Sequence, residues 1–153
     1  MAKEIERKFL VKSGIDLDLI TDRSFEIVQA YLSVEPRATV RVRTFGEKAR
    51  LTVKGRNHGI ERDEWEYDIP VADAVRMIDN CAVADSIVIR KTRRICGRWE
   101  IDEFHGDLQG LVTAEIELTD PEESVSIPDW IEREVSGDPR YYNSVLSSKG
   151  KPK

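Results

Sequence analysis

Cysteine is scarce: Cys81 and Cys96 are the only two in 153 residues, they lack the spacing of a metal site, and no secretory leader precedes them. A disulfide framework and a metal staple are thereby excluded, and the thiols read as packing residues of a protein kept in a reducing, cytoplasmic compartment. Histidine is as rare, and His58 and His105 fall in the glycine-containing turns GRNHG and HGDLQG, where exposure to solvent is expected. No apolar run approaches the roughly 18 residues of a membrane span, which excludes a membrane partner. An excess of one charge is missing too. The 24 basic and 29 acidic residues leave a net charge of −5, so nucleic-acid binding by bulk charge is excluded. Without repeats, low-complexity tracts or linkers, the length suits one domain over residues 1–153.

What the chain has in abundance is charge of both signs. Asp, Glu, Lys and Arg make up 35% of it, against about a quarter in a typical domain. Eight segments alternate at period two between turn signals, as half-buried antiparallel strands do. They are EIERKFLV from Glu4, EIVQAYLSV from Glu26, TVRVRTF from Thr39, ARLTVKG from Ala49, ERDEWEYDI from Glu61, SIVIRKTRRI from Ser86, RWEIDEF from Arg98 and LVTAEIELT from Leu111. Val71, Ala74, Val75, Ile78 and Ala82 follow helical spacing just after Pro70. A shorter helical piece is expected over residues 15–20. Asp138 before Pro139 reads as the N-cap and first position of a short helix through RYYNSVL. The last residues, from about 148 to 153, read as a disordered tail.

Alternation sorts each strand into a charged and an apolar face. Glu4, Glu6 and Lys8 oppose Ile5, Phe9 and Val11; Arg41 and Arg43 oppose Val40 and Val42; Arg50, Thr52 and Lys54 oppose Leu51 and Val53. Glu64 and Glu66 oppose Trp65 and Tyr67, Glu100 and Asp102 oppose Trp99 and Ile101, and Glu115 and Glu117 oppose Ala114, Ile116 and Leu118. Lys91 and Arg93 share a parity with Ile87, Ile89 and Ile95, so a bulge or a mixed face is expected there.

Any one charged row reads as the wet side of a sheet. As a set, rows of like charge repel unless something sits between them. Eight antiparallel strands avoid exposed edges best by closing, which predicts a mainly β protein of the α+β class: a closed eight-stranded antiparallel barrel with a few peripheral helices. With the charged faces inward, the lumen suits a strongly anionic ligand bound with metal. Bases would hold phosphate oxygens, and carboxylates would hold a Mg²⁺ or Mn²⁺ bridging the same phosphates. That describes a polyphosphate ester or anhydride.

The opening EIERK, Glu4 to Lys8, resembles the ExExK signature of the CYTH proteins, or triphosphate tunnel metalloenzymes. QAYL, VRVR, LTVKG, EWEYDI, IRKTR, WEIDEF, AEIEL and PDWIEREVSGDPRYYN follow in the family's order. The resemblance, closest to bacterial inorganic triphosphatase-like members, implies a tunnel that binds triphosphate with Mg²⁺ or Mn²⁺. It implies that Glu4, Glu6, Glu115 and Glu117 hold the metal. Arg41, Arg43, Lys54 and Arg93 would grip phosphate, with Lys8 and Lys91 easing charge at the reacting oxygens. Glu64, Glu66, Glu100 and Asp102 match supporting tunnel carboxylates, and the segment near Tyr142 and Asn143 resembles one that can cover a tunnel mouth.

The expected reaction is metal-dependent hydrolysis of inorganic triphosphate or of a triphosphorylated small molecule. The alternatives are a class IV adenylyl cyclase, with the ribose 3′ oxygen as nucleophile, a thiamine triphosphatase, and a non-catalytic polyphosphate-binding module. Trp65 and Trp99 lie off the charged faces, so no tryptophan clamp for a base or thiazole is evident. Expected partners are a small-molecule triphosphate and, as an option, a second copy of the chain in a homodimer.

Overall fold

The computed structural model describes residues 2–152. Its strands are β1 (Ala2–Val11), β2 (Arg23–Glu35), β3 (Ala38–Phe45), β4 (Lys48–Lys54), β5 (Glu61–Asp68), β6 (Ile89–Cys96), β7 (Trp99–Phe104), β8 (Val112–Glu117) and β9 (Ile131–Glu134). The helices are α1 (Leu17–Ile20), α2 (Val71–Cys81) and α3 (Asn143–Lys149). The sheet order β5-β4-β3-β2-β6-β7-β8-β1 closes through a β5–β1 pairing. Because neighbours run antiparallel throughout, the result is a closed eight-stranded barrel. All eight expected strands are its staves. The extra strand, β9, pairs with residues 9–11 of β1, past the point where β5 leaves off. Alternation did not mark it, because only Ile131 of its four residues is buried.

Two of the hairpins show why the register is firm. The β3–β4 and β6–β7 loops are two residues each, and each starts on a glycine at positive φ, Gly46 at 60° and Gly97 at 58°. Glycine first in a two-residue loop is the type II′ pattern, whose twist matches that of the flanking strands.

The apolar faces point outward and are covered. Phe9, Trp99, Ile101, Ala114 and Ile116 pack under α1 and the stretch before β9, with Trp130 edge-on to Trp99 at 5.5 Å. Around the barrel, Ala74 and Ile78 of α2 press on Ala30, Val42 and Ala49. Alanines on both sides let the helix lie close, and such burial dominates the stability of the wall.

One end of the lumen is filled rather than open. Tyr31, Ile89 and Phe104 from the staves meet Leu108 and Leu111 of the β7–β8 connection and Val135, Tyr141 and Leu146, so the C-terminal segment plugs that end. This explains the parity of β6. Its register with β2 and β7 runs without a shift, so there is no bulge. The inward face is mixed: Ile89 belongs to the plug, and Lys91 and Arg93 follow it into the charged lumen.

The expected C-terminal helix comes in two pieces. Asp138 caps a 3₁₀ turn, Pro139–Tyr141, by accepting from the Arg140 backbone N–H, and α3 starts afresh at Asn143. Residues 148 and 149, inside the stretch expected to fray, form the end of α3, and Lys151 Nζ donates to the Gln109 carbonyl at 2.7 Å.

Candidate active site

A cavity of about 270 Å³ runs through the lumen. Glu4, Glu6 and Lys8 line it from β1, Arg41 and Arg43 from β3, Lys54 from β4, Glu64 and Glu66 from β5, Arg93 and Glu100 from β6 and β7, and Glu115 and Glu117 from β8. Of the fourteen residues singled out in the sequence, only Lys91 and Asp102 are off its wall.

The bases are held in advance. Lys54 Nζ donates to both oxygens of Glu4, at 2.9 and 2.7 Å. Glu66 Oε2 lies 3.9 Å from both Arg41 and Arg43, while Oε1 sits 3.0 Å from Arg50. Lys8 Nζ donates to the Tyr141 carbonyl at 2.7 Å and lies 3.6 Å from Glu115, its cross-strand partner. Even so, Arg41 and Arg43 each keep a buried Nε–H with no acceptor. An unmade buried bond of this kind is costly, and a phosphate oxygen would supply it. Burial, then Arg41 and Arg93, pull the Arg43 guanidinium down to about 9, so it is charged at neutral pH but short of anions.

The carboxylates are crowded in the complementary sense. Glu6 faces Glu117 across β1 and β8, and Glu100 faces Glu115 across β7 and β8; like charges opposite one another repel. Burial, then Glu115 and Glu4, raise Glu6 well above the carboxylate range. Burial, then a hydrogen bond with Glu4, lift Glu64 to about 7. Burial, then Glu4 and Glu100, raise Glu117. Glu115 goes the other way, to about 2: burial opposes its charge, but Lys8 and a hydrogen bond from Glu6 outweigh it. Glu4 with Glu64 and Glu6 with Glu115 thus form close carboxylate pairs in which one member, Glu64 or Glu6, favours its protonated form.

A proton held on one of two paired carboxylates is what a divalent cation displaces. The donor set is all oxygen, which suits Mg²⁺ or Mn²⁺. Among the described residues no three acidic, His or Cys side chains converge as a ready-made metal cluster. Repulsion and the grip of Lys54 and Lys8 keep these carboxylates in pairs instead. The residues thus fit a hard divalent ion.

Glu64 gives a pH prediction for protein kept in chelator. Its folded pKa of about 7 exceeds the ordinary 4.5, so the folded chain holds the extra proton. The stability it contributes is complete below about 4.5 and is lost as pH rises through about 7. Urea midpoints should show this fall, and Glu64→Gln should flatten it. An unchanged pH slope in the variant would refute the assignment.

Asp102 stands apart from the other tunnel carboxylates. It is 1% exposed, and Arg93 grips both its oxygens, at 2.8 and 2.9 Å, while Lys91 Nζ adds 2.8 Å. Burial opposes its ionisation, but Arg93 and Lys91 hold its pKa far below the usual range. With its oxygens committed, Asp102 is a structural anion behind the wall. Lys91, also buried, is pulled down to about 7 by burial, against the opposing pull of Asp102.

Sequence reading passed over several wall residues: Thr39, Arg62, Ser136 and the loop around Gly59. Arg62 shares parity with Glu64 and Glu66 and had a signal; its Nη2 donates to Thr39 Oγ1 at 2.9 Å and the Gly55 carbonyl at 3.0 Å. The loop residues carry no alternation and had none.

Barrel and site together define a tunnel protein, an antiparallel barrel whose lumen presents opposed rows of bases and carboxylates. The CYTH domain model matches residues 2–142, and the chain belongs to the CYTH family. It is 45% identical to the inorganic triphosphatase of Acetivibrio thermocellus over 150 residues, 95% of this chain and 94% of that protein. Among solved structures it resembles the inorganic triphosphatase NE1496, with 26% identity, a TM-score of 0.67 and 99% of each chain covered. It also shares its fold with a putative adenylyl cyclase from Hippeastrum, HpAC1, reported to have a dominant triphosphatase activity. That likeness has 18% identity and a TM-score of 0.55 over 78% of this chain and 81% of that one. No helix among the described residues is long and apolar enough to cross a membrane.

Proposed function

We propose that the protein hydrolyses inorganic triphosphate to pyrophosphate and phosphate with Mg²⁺ or Mn²⁺ held by Glu4, Glu6, Glu115 and Glu117. The observation that carries this reading is one cavity of about 270 Å³ in which unsatisfied guanidinium groups and crowded, opposed carboxylates line the same space. That volume lies at the small end of ligand pockets, which run from about 300 Å³ upward. The cavity wall is mostly charged, which suits a triphosphate chain. The 45% identity to an inorganic triphosphatase supports the same substrate.

Phosphoryl transfer needs little covalent help, so the protein's task is alignment and charge neutralisation. When bound, the divalent ion supplies Lewis-acid neutralisation of phosphate oxygens and a site for the attacking water. Arg41, Arg43, Lys54 and Arg93 hold the phosphate chain from the wall opposite the glutamates. The water oxygen bonds to the terminal phosphorus as the bridging P–O bond breaks, and pyrophosphate leaves with the electron pair. Lys8, on the wall, steadies charge on the leaving oxygen. Lys91 stands behind the wall with Asp102 at 2.8 Å and eases charge at the reacting oxygens from there, while the water's proton stays on the phosphate product.

The test is product release from triphosphate, ATP and thiamine triphosphate with each metal, together with a search for cyclic AMP. Triphosphate should turn over fastest, with no activity in chelator. Rapid formation of cyclic AMP while triphosphate stays intact would replace this reading with the cyclase one.

A further inference from the structure

Asn143 connects two parts of the site that the barrel otherwise keeps apart. It lines the cavity, and its Oδ1 accepts from Lys91 Nζ at 3.3 Å. Lys91 is not on the cavity wall; its side chain is 0% exposed, with Asp102 at 2.8 Å and the Phe104 ring 5.3 Å from Nζ. Two residues earlier in the chain, the Tyr141 carbonyl accepts from Lys8 Nζ at 2.7 Å. Both lysines therefore end on acceptors of one short corner, residues 141–143, where the 3₁₀ turn meets α3.

That corner is firmly seated. Tyr141 and Leu146 sit in the apolar plug, and Ser147 Oγ donates to the Ile87 carbonyl at 2.6 Å, while the Ile87 N–H donates back to the Ser147 carbonyl at 2.6 Å. A lysine head is a compact group with rotatable donors on a flexible stem. An acceptor on each of two sides leaves Lys91 a single free direction. The charged groups that bear on it are Asp102 from β7, Arg93 from its own strand and Glu115 from β8, with Asn143 contributing the neutral acceptor from α3.

We propose that Asn143 is a positioning residue: it aims Lys91 toward the cavity from behind the wall, as the Tyr141 carbonyl aims Lys8. This rests on the triphosphatase reading above. The C-terminal corner then sets the geometry of both lysines as well as closing the barrel. A displacement of about 1 Å in a reacting group can cost as much as a hundredfold in rate.

Asn143→Leu keeps the volume and removes the acceptor, while Asn143→Asp keeps an oxygen at the same reach. In the leucine variant kcat for triphosphate should fall about tenfold with KM within about twofold, and the aspartate variant should recover most of the rate. A second measurement does not depend on turnover: reductive methylation of the intact protein, mapped by mass spectrometry, with exposed Lys149 as the internal standard. Lys91 should be modified several times faster in Asn143→Leu and no faster than in wild type in Asn143→Asp, where the added carboxylate holds the ammonium form.

Equal behaviour of the two variants in kcat, a rise in KM with kcat intact, or methylation of Lys91 unmoved by either change would each overturn the proposal. If the wild type does not hydrolyse triphosphate, the functional reading fails, and the methylation arm still decides whether Asn143 holds Lys91.

Discussion

Asp102→Ala is expected to cost the fold about 3–5 kcal/mol, the range seen when one partner of a buried charge cluster is removed. Three charge-assisted bonds end on this carboxylate, from Arg93 Nε and Nη2 and from Lys91 Nζ. The bonds are lost together, but the larger penalty falls on what remains. Arg93, 8% exposed, cannot shed its proton and would keep only half-exposed Glu100, at 3.1 Å from Nη1, while its Nε and Nη2 face a void. Lys91 can escape by deprotonating, since burial already brings it to about 7, so the loss should be somewhat smaller above that pH. Asp102→Asn keeps the shape and one acceptor, and should lie between wild type and alanine. For a chain of this size the alanine change corresponds to a drop of roughly 6–20 °C in melting temperature. A shift within about 2 °C would mean that Arg93 and Lys91 find other partners at no cost.

That role was not legible in the sequence. Period two assigns a residue to a face, and it placed Glu100 and Asp102 together on the inward face of β7, where both are found. It says nothing of depth along the lumen. Depth depends on the stagger of eight strands and on what fills the end, and the plug comes from residues 135–146, far from the staves in sequence. Hence Asp102 is sealed while the side chain of Glu100, two residues away, is 41% exposed. The same cause explains β6, where the parity called for a bulge or a mixed face: the face is mixed, because an apolar plug and a charged lumen share it. The charged rows were legible because each stave repeats the same opposition of faces. Strand β9 and the loop around Gly59 were not, since neither repeats anything.

Glu117→Ala should remove at least about a hundredfold of the metal-dependent rate, the loss expected when charge neutralisation worth several kcal/mol is disturbed. Its effect on stability should be small or favourable. Glu117 is exposed at the open end of the lumen. Burial of part of the side chain and the charges of Glu4 and Glu100 raise its pKa, so its ionised form is disfavoured where it stands. Removing a repelled carboxylate from a surface position changes stability by no more than about 0.5 kcal/mol, or relieves the crowding of Glu4 and Glu6. Thermal unfolding in chelator and steady-state turnover at saturating Mg²⁺ separate the two effects. A variant as active as wild type at every Mg²⁺ concentration would remove the late glutamate pair from the metal site. A stable but inactive one would give the crowding its reason: acidic groups that oppose one another in the folded chain are retained where a cation, and not the fold, needs them.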